Sequence, residues 1–262
     1  MPPPEIPQKK PKIPWLPVTN VRLPGLDFAT ILLVLIVSVH WAVERAGGPN
    51  YVFDLYKQLG LTWTDFKSGK VWQVFTYGLL HGNWLHLTVN VLMFWLVGGR
   101  VIHILGHQAW FKVVFFGILV GGGLHLITAY FLIENGAHET RLVGISGACY
   151  ALLLTLTTLS PESKMWPIPI SGKNLGLGII LCELLLWLMS PKLSIPVFSK
   201  VGEQFVVLGG GELFQISHAC HFGGGIAGWW IARKLLAPLP SLKDLQQMRA
   251  EREGTLEVDD AG

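Results

Sequence analysis

The sequence predicts an all-α membrane protein, a bundle of six transmembrane helices with a long interfacial first loop. Three observations predict it. Of the 262 residues, 51% are hydrophobic and only 14% are charged, against roughly 25% charged in soluble domains, and the mean hydropathy is +0.46. Apolar stretches recur along the chain at lengths near the roughly 20 residues a helix needs to cross the hydrocarbon core. Inside them sit a few isolated polar residues, Ser146, His221, His86 and Asn90 among them, and polar groups within membrane segments mark function by default.

The first 25 residues form a Pro-rich tail with Lys9, Lys10, Lys12 and Arg22, without the amphipathic, Arg/Ser-rich character of a transit peptide. Span one covers 27–46 and has no small-residue cleavage site, so it reads as a retained helix rather than a signal peptide. The connection 47–83 mixes Trp63, Phe66, Trp72 and Phe75 with charges and glycines, a composition that suits an interfacial loop rather than a seventh span. Spans two and three follow at 84–102 and 110–133. Span four, 145–160, is short, closes at Ser160-Pro161 and begins with small residues, as a central helix surrounded by others would. Spans five and six cover 174–190 and 216–237. The stretch 241–252, with Leu242, Leu245 and Met248, reads as a short surface helix in a charged tail. The domain organisation is thus a tail (1–25), one membrane domain (26–237) and a second tail (238–262).

With the N-terminus inside, the inner segments hold 13 Lys/Arg and the outer segments 7, so the positive-inside rule places both termini in the cytoplasm. The net charge of +3, with no continuous basic strip, gives no reason to expect nucleic acid. Cys149, Cys182 and Cys220 all fall in apolar segments, which reads as buried, inert thiols rather than a disulfide framework. No cofactor or metal is expected, and the oligomeric state is not legible.

Spans two, four and six all enter from the outer side, so His86, Ser146 and His221 lie within roughly 10 Å of that end at 1.5 Å per residue. A serine needs a base to take its proton, and an imidazole titrates near neutrality. No carboxylate is near His221 in sequence, and Glu183 in span five is expected deeper or on the opposite half. The reading is therefore a Ser146–His221 dyad without an acid. Tyr150, four residues after Ser146, shares its helical face and is placed to stack on His221. Ser146 opens a helix, whose free N–H groups favour negative charge. His86 and Asn90, spaced i, i+4, offer two further donors for an oxyanion, and His81 ties down the preceding loop. Gly224 and Gly228 follow His221 in one phase and allow close approach to Gly147 and Ala148. A lone serine in a membrane helix usually bonds its neighbours instead. Gly144, Gly147, Tyr150 and His221 together favour the nucleophile. His40 and His125 read as structural, and Glu183 as protonated or paired.

These motifs resemble the rhomboid family of intramembrane serine proteases. The resemblance rests on His81-x4-His86-x3-Asn90, on Gly144-Ile145-Ser146-Gly147 with Tyr150, and on His221-x2-Gly224-x3-Gly228. It covers roughly residues 26–237 and implies a rhomboid-like six-helix core of bacterial type. It also implies Ser146 as nucleophile, His221 as base, and His86, Asn90 and the Ser146 amide as oxyanion hole. The expected activity is cleavage of single-pass transmembrane proteins near the outer boundary of a bacterial inner (plasma) membrane. Two departures stand out: Trp72 is followed by Gln73 where the family often has Trp-Arg, and Gly98-Gly99 leads to Arg100 rather than toward a glutamate. His218 has no assigned role. Two other classes remain: a non-catalytic rhomboid-like binder of transmembrane helices, and a metal-binding membrane transporter built on His81, His86, His218 and His221. The first would have lost the serine or the histidine. The second lacks a carboxylate or cysteine in phase.

Overall fold

The computed structural model describes residues 28–45, 49–165 and 169–237. Both tails, and with them the helix expected at 241–252, lie outside the described residues. The described chain is all-helical: α1 (Phe28–Arg45), α2 (Pro49–Leu59), α3 (Trp63–Lys67), α4 (Gln73–Thr76), α5 (Trp84–Glu134), α6 (Ser146–Leu159), α7 (Gly172–Leu188), α8 (Phe198–Phe205) and α9 (His218–Leu235), with short 3-10 and π turns between them. Helices stand at each of the six expected places. By length and composition alone, one described helix, α5, is long and apolar enough to cross a membrane.

Spans two and three were expected to be separated by a loop over 103–109. Instead helical geometry runs on both sides of a single break at Gly106, where φ is +80° and ψ is 171°. The intervening residues lack proline and include good helix formers, so only the glycine, which tolerates positive φ, interrupts the ladder. The arms fold back on each other: Phe94 and Trp110 meet edge to face with ring centroids 5.5 Å apart. Gly98 lies so near the other arm that a Cβ there would stand 3.0 Å from Trp110 Nε1. Asn83 caps the first arm by accepting from the His86 amide at 2.8 Å, satisfying one of the free N–H groups of that end.

Helix α6 is 14 residues long, about 21 Å at 1.5 Å per residue, and it packs against α5, α7 and α9. Most of its side chains are buried, as expected of a central helix that needs no lipid-facing length of its own. Helix α7 is the opposite case. Its only buried residues are Gly172, Gly176 and Glu183, so a carboxylate sits at its contact with the bundle.

The first loop is a ledge of short helices. Leu61 and Leu142 exchange backbone hydrogen bonds of 3.0 and 2.8 Å, and Asp65 pairs with both Lys70 and Arg141 at 3.0 Å. Burial works upward on the Asp65 carboxyl, yet these cationic partners outweigh it and hold it at about 2. Gln73, fully buried, stands where the arginine was expected. It donates to the Lys57 and Gln58 carbonyls at 3.1 and 3.3 Å, so a neutral amide stitches this loop.

Candidate active site

Gly144 has φ +108°, a conformation that L side chains rarely adopt. It turns the chain so that Ser146 becomes the first residue of α6. Ser146 and His221 are both buried, and Ser146 Oγ lies 2.9 Å from His221 Nε2. That distance is within reach for a nucleophile and its base. The Tyr150 ring stacks on the imidazole at 4.2 Å and 11°.

The seam between α6 and α9 makes this approach possible. A Cβ on Gly224 would stand 2.1 Å from the Gly147 carbonyl oxygen, and one on Gly228 would stand 1.9 Å from that of Ala151. The expected glycine face is there, with one correction. Gly228 meets Ala151, while Ala148 faces Gly117 of α5, because the two helices stay in contact for a full turn beyond the serine.

On the other side, a Cβ on Gly144 would meet His86 Nε2 at 2.8 Å and Asn90 Nδ2 at 3.4 Å. The Gly82 amide donates to His86 Nδ1 at 3.4 Å, so Nδ1 is the acceptor and Nε2 carries the proton of the neutral ring. Asn90 Nδ2 is buried without a hydrogen-bond partner among the described residues. Two N–H donors therefore converge beside the turn that precedes Ser146, and Asn90 Nδ2 has no acceptor among the described residues. Such preorganised donors serve an oxyanion. His81 is fully buried between His40 and His86, with ring centroids at 6.4 and 5.1 Å. Its carbonyl accepts from the Tyr56 hydroxyl, which ties the loop to α2.

A sequence profile of the rhomboid domain matches residues 68–238, well over half of the chain. The chain belongs to the rhomboid family. Rhomboids are integral membrane proteins, and this one is similar to the rhomboid protease GlpG of Photorhabdus laumondii, at 26% identity over 208 residues, 78% of this chain and 59% of that protein. It is also similar to the rhomboid protease GlpG of Pectobacterium atrosepticum, at 28% over 97 residues, 36% of this chain and 32% of that protein. The chain thus spans less than two thirds of the length of these relatives.

One expectation about this rhomboid is overturned. Glu183 is neither deeper than the site nor on the opposite half: its Oε2 lies 2.6 Å from His218 Nδ1 and 3.3 Å from His221 Nδ1. The helical phase of α7 relative to α9 is a tertiary property, so sequence distance concealed it. A signal was nonetheless present. Glu183 and His218 were the two unexplained polar groups in apolar helices, and buried charges seek partners. The four-histidine cluster is also corrected. His81 and His86 sit with His40 on the α5 side, while Glu183, His218 and His221 bring their ligand atoms within 4.8 Å of one another. Among the other histidines, His125 bridges Ser217 Oγ at 3.0 Å and the Thr140 carbonyl at 3.1 Å, a structural clamp. Cys149 and Cys220 are buried and free as expected, but Cys182 is exposed, because α7 is peripheral.

Proposed function

We propose that this rhomboid is an intramembrane serine endopeptidase that cuts single-pass transmembrane proteins near the outer boundary of the bilayer. In this reading six helices cross the membrane, α5 supplies two of them through its Gly106 break, and the first loop lies at the interface. Both termini face the cytoplasm, and the membrane is the bacterial inner one. The observation that carries the reading is the 2.9 Å contact between Ser146 Oγ and His221 Nε2, set beside the His86 and Asn90 side-chain donors.

Ser146 Oγ attacks the scissile carbonyl carbon while its proton passes to His221 Nε2. Charge collects on the carbonyl oxygen, where His86 Nε2–H, Asn90 Nδ2–H and the Ser146 amide receive it. The C–N bond then breaks, His221 returns the proton to the leaving amine, and water releases the acyl group by the same route. The site opens only to an extended segment, since an intact helix hides its carbonyls in i→i−4 bonds. Substrates with Gly or Pro near the cut suit this need, and the resemblance to rhomboids implies a small residue such as Ala before the scissile bond. No cofactor enters these steps.

A second reading rests on Glu183, His218 and His221 as ligands of a cation in a transport protein; a chelator would then abolish function and Ser146→Ala would spare it. The test is cleavage of a single-pass substrate by the protein in liposomes. Ser146→Ala and His221→Ala are each expected to abolish cleavage without unfolding the protein, and the double variant to be little worse than either. Products should map to the outer juxtamembrane boundary by mass spectrometry. Turnover in Ser146→Ala, or cuts at the cytoplasmic end, would contradict the proposal.

A further inference from the structure

The Glu183 carboxylate is buried, and two imidazoles converge on one of its oxygens. His218 Nε2 lies 2.7 Å from the Leu213 carbonyl; a carbonyl only accepts, so this nitrogen carries a proton. His218 Nδ1, 2.6 Å from Glu183 Oε2, therefore shares one proton with that oxygen, in a charge-assisted bond that is short for its class. His221 meets Ser146 through Nε2. To act as a base there its Nε2 must be bare, and its proton then sits on Nδ1, 3.3 Å from Glu183 Oε2. That contact is off the line of a hydrogen bond. Catalytic hydrogen bonds are often long and misaligned before substrate binds and tighten in the complex.

We infer that Glu183, itself oriented by His218, is a positioning residue for the base: it accepts from Nδ1–H of His221 and fixes the tautomer that aims Nε2 at Ser146. The inference rests on the serine-protease reading and turns its dyad into a Ser146–His221–Glu183 triad, with His218 behind the carboxylate. Proton balance is simple. The serine proton moves to His221 Nε2 and on to the leaving amine, while the proton between Glu183 and His218 stays where it is. The groups around His221 are Ser146 and Tyr150 of α6, Glu183 of α7, His218 of α9 and His86 of α5. Among these Glu183 is the one carboxylate, and Tyr150 faces it as well.

Two rival uses of the cluster are less well served by the geometry. Ligand atoms around a tetrahedral zinc at about 2.0–2.1 Å stand about 3.3 Å apart, whereas 2.6 Å between Glu183 and His218 is a distance for a shared proton. A purely structural latch of α7 onto α9 would need only His218, yet the same oxygen also faces His221.

The test uses the full chain in liposomes with a cleavable single-pass substrate, alongside the rate of fluorophosphonate labelling. Glu183→Gln keeps the size of the side chain and loses its charge. Misplacing a catalytic group by about 1 Å costs about 10²-fold, so kcat is expected to fall by about that factor. KM should stay within about twofold, because substrate contacts are untouched. Labelling should slow in parallel with kcat, and Glu183→Asp should recover part of the loss. In the unsubstituted protein, ¹⁵N NMR of labelled histidines should show His221 as the Nδ1–H tautomer, and in Glu183→Gln a mixture. Unchanged kcat in folded Glu183→Gln and His218→Gln would overturn the inference. So would raised kcat, which marks a latch, or stoichiometric metal whose removal abolishes labelling. An Nε2–H tautomer in the unsubstituted protein overturns it even if no variant folds. Cleavage retained in Ser146→Ala would instead sink the serine-protease reading, and the inference with it.

Discussion

Asn90 Nδ2 is buried without a partner among the described residues, and a buried donor left so costs about 1–3 kcal/mol. The fold bears that cost beside Gly144, where any Cβ would stand 2.7 Å from His86 Cε1. A glycine here lets the chain turn close against two N–H donors, and preorganised donors of this kind serve a developing oxyanion. His86→Ala and Asn90→Ala are therefore expected to lower kcat by about 10²–10³, the usual cost of losing one such donor. KM should change little, since the bonds strengthen only in the transition state. Steady-state kinetics on each variant checks this, and a pure KM effect would reassign both residues to substrate positioning. At this level the sequence was informative. Helical periodicity decides which residues share a face, and it was enough to put Tyr150 with Ser146 and Asn90 with His86.

The elements that hold these residues differ in how they do so. Helices α6 and α9 touch through backbone at Gly147 and Gly224, so Gly224→Ala forces them apart at a Cβ–oxygen distance of 2.1 Å. Overpacking of this kind costs about 1–3 kcal/mol, and the shift should carry His221 away from Ser146. A lowered Tm together with lost cleavage is expected; Gly178→Ala on α7, where a Cβ meets nothing within 4 Å, should be neutral in both. The first loop is held by polar contacts instead. Asp65 sits at about 2 in the folded protein and about 3.9 when unfolded, so its contribution is complete above about pH 4 and is lost as the pH falls through about 2. Asp65→Asn should speed amide exchange at Leu61 and Leu142 by about fivefold at pH 7, equivalent to about 1 kcal/mol. In the unsubstituted protein the same loosening should wait until about pH 2–3, as hydrogen exchange would report. Little of this loop architecture was legible beyond its mixed composition, since Asp65 pairs with Arg141, and Glu139 accepts from the Trp63 amide, across more than seventy residues.

For the molecule as a whole, hydrophobic length was enough to place helices at six positions, and polar residues in phase were enough to bring three helices to one point. The rotation of α7 was not legible. Its faces are nearly uniformly apolar, so the lone carboxylate Glu183 was the one pointer inward, and nothing in the pattern named His221 as its neighbour. The break at Gly106 was read as a loop for a related reason: one positive-φ glycine reverses the chain as well as seven loop residues do. In the proposed function the bundle assembles an activated serine, and that is open to direct measurement. The protein in liposomes is treated with a fluorophosphonate, digested and mapped by mass spectrometry. A single adduct on Ser146 is expected, absent in Ser146→Ala and slowed by orders of magnitude in His221→Ala. An adduct on another residue, no adduct at all, or labelling of His221→Ala at the unsubstituted rate would contradict the Ser146–His221 mechanism.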